Sequence, residues 1–251
     1  MQTFHCPDCQ PRRPAPGRRA LLAVAGATLA CTAAGLPPLA APARAATGAR
    51  TSLTAEQALE RLKEGNRSYV SSGPLHQEEI GRERRLAIAQ SQTPFCVMIG
   101  CSDSRVPPEL LFGRGLGELF IVRNAGNTEG HTSLGSVEYA VAALGVPLVV
   151  VLGHERCGAV AAAIDVVERN AVLPGVISEV VEPIIPAVLK ARSDGHSGTA
   201  LLDQAVEENV RRVVARLQTA STIISEPQRA GRLKVVGARY DLDNGEVTFF
   251  N

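Results

Sequence analysis

Beyond about residue 90 the chain is organised by short apolar runs, each followed directly by polar residues. Phe95 to Ile99 precedes Cys101-Ser102-Asp103-Ser104-Arg105, and Leu119 to Val122 precedes Arg123-Asn124-Ala125-Gly126-Asn127. Leu148 to Leu152, the most apolar run, leads into Gly153-His154. Val235 to Ala238 forms a further run, and Val247 to Phe250 reads as a final edge strand joined to it through the hairpin turn Asp243-Asn244-Gly245. Leu134, Val137, Val141 and Leu144 recur at helical spacing, and about 80 residues of mostly helical pattern, including Ala200 to Leu217, separate the third run from the fourth. Near-continuous apolar strands alternating with helices predict an α/β fold. Its centre is a mostly parallel sheet of four to five strands, flanked by helices and buried on both faces.

Upstream of this core the periodicity is helical. Thr54 with Gln57 three residues later forms a capping box, and Ala55, Ala58, Leu59, Leu62 and Tyr69 then make one apolar stripe. Gly73-Pro74 is the expected stop, and a second helix is expected over Glu78 to Ala89. Residues 52–90 thus read as a helical arm, packed on the core or on a partner subunit, with residues 91–251 as the α/β core.

The first 45 residues have a different character. Arg12, Arg13, Arg18 and Arg19 precede an uncharged apolar run from Leu21 to Ala34, and Ala43-Arg44-Ala45 supplies a small-residue cleavage site. That order is the order of an export signal. The run has about fourteen residues, short of the ~20 that span a bilayer, so no stable membrane span is expected. Gly26, Gly35, Pro37 and Pro38 argue against a buried helix. Arg18-Arg19-Ala20-Leu21-Leu22 resembles a twin-arginine signal, with Gly17 where a polar residue is usual. Cys31, acylated after Thr28-Leu29-Ala30 in a lipoprotein, is the alternative. The expected location is periplasmic or secreted, with residues 46–251 as a single mature domain.

The whole chain is 45% hydrophobic and 20% charged with a net charge of +1, which suits a globular protein and gives no pull toward nucleic acid. Cleavage after Ala45 would remove Cys6, Cys9 and Cys31 and leave Cys96, Cys101 and Cys157. His5-Cys6-Pro7-Asp8-Cys9 looks like half a zinc site but has no second pair near it. Three cysteines cannot all pair as disulfides in an oxidising compartment, so metal ligation is the natural use for some of them.

In a parallel sheet of this kind the ligand site lies beyond the carboxyl ends of the strands. The polar clusters come directly after their strands, which places Cys101, Asp103, Arg105, Asn127, His154 and Cys157 around one crevice. His154-Glu155-Arg156-Cys157 offers an imidazole and a thiol three residues apart. Zinc accepts both ligand types. Two thiolates and one imidazole leave a fourth position for water or for a nearby carboxylate, the catalytic rather than the closed structural pattern. Asp103 lies two residues from Arg105, whose charge would keep it ionised. Cys96, inside its strand with no polar neighbour, reads as core.

Cys101-Ser-Asp-Ser-Arg-Val106, Arg123-Asn-Ala-Gly-Asn127 and Gly153-His-Glu-Arg-Cys-Gly-Ala-Val160 closely resemble the three signature blocks of β-class carbonic anhydrases. The resemblance runs from about Leu53 to the C-terminus. It implies a lyase, carbonate dehydratase, that reversibly hydrates CO2 to bicarbonate and a proton through a zinc-bound hydroxide. By the same resemblance Cys101, His154 and Cys157 bind one Zn2+ and Asp103 with Arg105 forms the catalytic dyad, Asp103 being the candidate fourth ligand of a closed state. Gln92, Phe120 and Gly158 match positions lining the cleft. The family further implies a homodimer, or a tetramer built from dimers, with cleft walls shared between subunits. Members with a bicarbonate-inhibition site carry tryptophan three residues before the first cysteine ligand; this chain has Met98 there and no tryptophan at all, although Arg123 and Tyr240 match other parts of that site. Carbon disulfide or carbonyl sulfide hydrolysis on the same fold is the enzymatic rival, and a non-catalytic zinc protein the non-enzymatic one. Nucleotide binding is disfavoured because Gly113-Arg114-Gly115-Leu116-Gly117 precedes a strand instead of coming after one.

Overall fold

A computed structural model describes residues 50–72 and 80–250. The proposed export signal, Gly73-Pro74 and the start of the second expected helix lie outside the described residues.

α1 (Ala55–Val70) begins at Thr54 with the expected capping box: the Thr54 hydroxyl accepts from the Gln57 amide and the Gln57 side chain accepts from the Thr54 amide. It ends at Val70, three residues before Gly73, with Ser71 as its C-cap and Ser72 in a left-handed conformation (φ 57°). α2 (Arg82–Ile88) lies within the second expected helical stretch and buries no residue. The apolar runs become β1 (Cys96–Cys101), β2 (Leu119–Asn124), β3 (Leu148–His154), β4 (Lys234–Tyr240) and β5 (Val247–Phe250). The order across the sheet is β2-β1-β3-β4-β5; the first four strands are parallel and β5 pairs antiparallel to β4.

The intervening helices are α3 (Pro108–Leu111), α4 (His131–Tyr139), α5 (Gly158–Arg169), α6 (Ile177–Val181), α7 (Ile185–Ser193), α8 (Gly198–Ala220) and α9 (Thr222–Arg229). α4 widens into a π-helical turn over Ala140–Leu144. His131 is the first residue of α4.

Because side chains alternate along a strand, the sheet supports two cores. Val97, Ile99, Val149 and Val151 face α4, α8 and α9, while Met98, Leu148, Val150 and Leu152 face α1, α3 and β5. A third apolar cluster, built from α5, α7 and the start of α8, encloses Cys101 and Cys157.

Two consecutive connections carry the chain from β1 outward to β2 and then back across to β3. The strand order therefore reverses between β1 and β3, and a crevice opens there at the carboxyl ends of the strands.

Candidate metal centre

The reversal point is where the candidate ligands converge. Cys101 is the last residue of β1, His154 the last of β3, and Cys157 the residue preceding α5. One ligand atom from each of the three lies within 4.8 Å of the others, and all three residues are buried. The Cys101 and Cys157 sulfurs are 4.0 Å apart.

His154 shows which way its imidazole faces. Its Nδ1 lies 2.8 Å from the Glu155 carbonyl oxygen, which can only accept, so Nδ1 carries the proton. The unprotonated Nε2 is buried without a hydrogen-bond partner and lies in the cluster. A buried, unpaired imidazole lone pair costs free energy unless something accepts it. A divalent cation does so, and the carbonyl that fixes the tautomer is the usual outer support of a metal-bound histidine. Two sulfurs and one imidazole nitrogen suit zinc.

The sulfurs are chemically unequal. The Cys157 thiol donating to Cys101, with the Gly126 amide as a further donor, holds the Cys101 thiol well below its ordinary value. Cys157, next to that negative sulfur and desolvated, is pushed up. Cys96 is fully buried, and desolvation raises its thiol above the ordinary range.

Asp103 sits beside the cluster, its Oδ2 3.8 Å from His154 Nε2. Arg105 grips it as a fork: Nε donates to Oδ1 (2.9 Å), a terminal nitrogen to Oδ2 (2.7 Å), and the Arg105 amide adds a third bond to Oδ1 (3.0 Å). These bonds, the guanidinium's first, hold the Asp103 carboxyl far below the usual carboxylate range. A depressed carboxyl contributes stability fully above about pH 4 and loses it as pH falls through the folded value, so Asp103 is charged at any neutral or alkaline pH.

Arg123 straps the loop from the other side. Its Nε donates to the Cys101 carbonyl (2.8 Å) and a terminal nitrogen to the Asp103 carbonyl (2.7 Å). Met98 is fully buried in β1. Gly158 opens α5 next to Cys157, and a Cβ there would meet nothing within 4 Å, so the approach to the cluster is clear at that point.

Gln92 and Phe120 are not brought to the cluster within one chain. Gln92 is exposed and precedes β1, whose first residue Cys96 lies about 17 Å from Cys101 along the strand axis. Phe120 pairs with Val97 near the start of β2 and its ring packs on Tyr139 at 6.2 Å. Asn127, grouped with the crevice from sequence, is buried with φ 45° and an unpartnered Nδ2.

Two features of the surroundings have no signature in the spacing. The Gly126 amide donates to the Cys101 sulfur at 3.4 Å, and Glu155 is held by Arg239 at 2.7 Å, which steadies the carbonyl that supports His154. Both connect residues distant in the chain, and only a contact across folded elements reveals them.

The family model described as carbonic anhydrase matches residues 96–247. A carbonic anhydrase of Mycolicibacterium smegmatis is 42% identical over 186 residues, covering 74% of this chain and 88% of the relative. One from Pseudomonas aeruginosa is 38% identical over 168 residues, covering 64% and 75%. Among solved structures, the β-carbonic anhydrase CcaA superposes with a TM-score of 0.61 at 30% identity, covering 77% of this chain and 95% of that one. The β-carbonic anhydrase CafA of Aspergillus fumigatus also gives 0.61 at 30% identity, covering 67% and 81%. With the strand order and the Cys–His–Cys cluster already in place, these similarities decide the matter: the chain belongs to the carbonic anhydrase family, in its β class, and is a lyase for the reversible hydration of CO2.

Proposed function

We propose that Cys101, His154 and Cys157 hold one zinc ion and that Asp103 and Arg105 prepare a water-derived oxygen for attack on CO2. The observation that carries this reading is the unpaired His154 Nε2, buried between two thiols and 3.8 Å from a carboxylate already committed to an arginine.

Bound zinc supplies Lewis acidity, which makes a water molecule acidic near neutral pH. The chain's own residues direct the attack. Asp103, kept charged by Arg105, can only accept, so it takes the hydrogen bond of the attacking oxygen and turns that oxygen's lone pair toward the open side of the crevice. Both Asp103 oxygens are engaged by Arg105, which favours a resting state in which the carboxylate does not close the metal site. Gly158 leaves room for the linear substrate, and the apolar cluster around Cys101 and Cys157 suits a molecule without charge.

The same reading assigns Gln92 and Phe120 to the cleft of a partner subunit, since their own chain holds them far from its cluster. A β-carbonic anhydrase of Sordaria macrospora, 25% identical with a TM-score of 0.60, is a tetramer, which supports oligomeric assembly here. Export by the N-terminal signal completes the reading; its support is the order of charged, apolar and small residues in the first 45 positions. Folding and zinc loading before export would protect the thiolates.

Metal analysis of the purified protein tests the assignment. One zinc per chain is expected, falling to near zero in Cys157→Ser together with hydration activity. Full zinc retention in that variant contradicts it.

A further inference from the structure

We infer that Asn209 is a positioning residue for the metal centre, acting on the Cys101 sulfur through the backbone of Gly126; this rests on the reading that Cys101, His154 and Cys157 hold zinc. α8 runs behind the site, and its buried stripe is Leu201, Ala205, Val206, Val210, Val213, Val214 and Leu217, interrupted by one polar residue, Asn209. Asn209 is 2% exposed. An amide so placed is costly unless it is hydrogen-bonded. Its Nδ2 donates to the Gly126 carbonyl at 2.9 Å, and the Gly126 amide donates to the Cys101 sulfur at 3.4 Å.

The Gly126 backbone depends on that anchor. Gly126 (φ 77°) and Asn127 (φ 45°) are consecutive left-handed residues, with no ladder or helix beyond this turn to fix their peptide planes. On one side the residue is wedged: a Cβ at Gly126 would lie 2.6 Å from Ile184 Cδ1 and 3.0 Å from Ala159 Cβ. On the other side Asn209 pins its carbonyl. The two constraints together aim the Gly126 N–H at a sulfur that carries negative charge, and a donor to a charged acceptor makes one of the stronger hydrogen bonds available.

The same helix touches the histidine ligand's strand. A Cβ at Gly153, adjacent to His154, would come within 2.6 Å of Val210 and 3.1 Å of Val206. α8 therefore bears on two ligand segments, by close packing at Gly153 beside His154 and by a polar contact to Gly126, whose amide meets Cys101. Packing alone would be served by leucine at position 209; the amide is needed only if the Gly126 carbonyl must be held. Outer residues that orient metal ligands commonly change metal affinity about 10- to 100-fold.

The test uses the full-length protein loaded with cobalt(II), and separately with zinc, as wild type, Asn209→Leu, Asn209→Ser and Val213→Ala. Leucine removes the donor at similar size, and serine is too short to reach Gly126. Val213→Ala loosens the same helix without touching Gly126. A thiolate that loses a hydrogen-bond donor is more electron-rich, so in Asn209→Leu the sulfur-to-cobalt charge-transfer band moves to longer wavelength. Zinc release to a chelator becomes about 10-fold faster. Val213→Ala lowers the melting temperature without moving the band. Should Asn209→Leu not fold, Asn209→Ser carries the same expectations. A wild-type band and release rate in the Asn209 variant, or an equal band shift in Val213→Ala, overturns the inference. Absence of any thiolate band in cobalt-loaded wild type overturns the metal assignment itself.

Discussion

At residue scale, the three cysteines of the α/β core show how place sets chemistry. Cys96 is packed among apolar side chains in β1, where desolvation keeps its thiol protonated. Cys101, five residues further along the same strand, has a thiol and a backbone amide donating to its sulfur, and these stabilise the thiolate. The thiolate is the reactive form. After zinc is stripped by a chelator, site-resolved alkylation of the folded protein should modify Cys101 first and Cys96 last. Modification of Cys96 at a rate equal to Cys101 would contradict this account of the two environments. The distinction is legible in the sequence, because Cys96 lies within an apolar run and Cys101 at its polar end. The inequality of Cys101 and Cys157 is not, since it arises from the contact between the two thiols, which only the fold brings together.

At the scale of elements, one buried polar side chain contributes to the attachment of α1 alongside the buried Ala58 and Leu62. Asn66, 6% exposed, donates to the carbonyls of Gly245 (2.9 Å) and Leu111 (3.2 Å) and accepts from the Val247 amide (2.8 Å). It thereby ties α1 to the end of α3 and to the β4–β5 hairpin. Asn66→Leu would leave two carbonyls and one amide unpaired, so urea unfolding should show a loss of about 3 kcal/mol. A loss below about 1 kcal/mol would mean that apolar packing alone holds the helix.

The strands and their carboxyl ends are readable from sequence because a buried parallel strand leaves an uninterrupted apolar run and the site residues come immediately after it. α1 is readable from its cap. The π-helical turn at Ala140–Leu144 is not, since its apolar residues fit an α-helix equally well and only the left-handed Gly145 beyond it marks the end. α3 leaves no helical signal because Pro107-Pro108 reads as a breaker, whereas Pro108 occupies a first-turn position that lacks a hydrogen-bond partner anyway. The full length of α8, Gly198–Ala220, exceeds the stripe that signals it because its ends face solvent.

For the molecule as a whole, the strand order explains why catalysis can be assembled from such short segments. The reversal between β1 and β3 opens one crevice, and a single residue at each strand end, with Cys157 at the start of α5, is enough to furnish it. Arg123 and α8 then hold the lining from opposite sides. The same topology leaves Gln92 and Phe120 away from their own chain's cluster. The central claim is that Asp103, beside a zinc held by Cys101, His154 and Cys157, directs hydration of CO2. Stopped-flow hydration by zinc-quantified wild type and Asp103→Asn tests it most directly. The account predicts rapid hydration by wild type and a fall of about 100-fold or more in the variant at unchanged zinc content. Equal rates in the two proteins, or zinc-replete wild type that does not hydrate CO2 at neutral to alkaline pH, would contradict it.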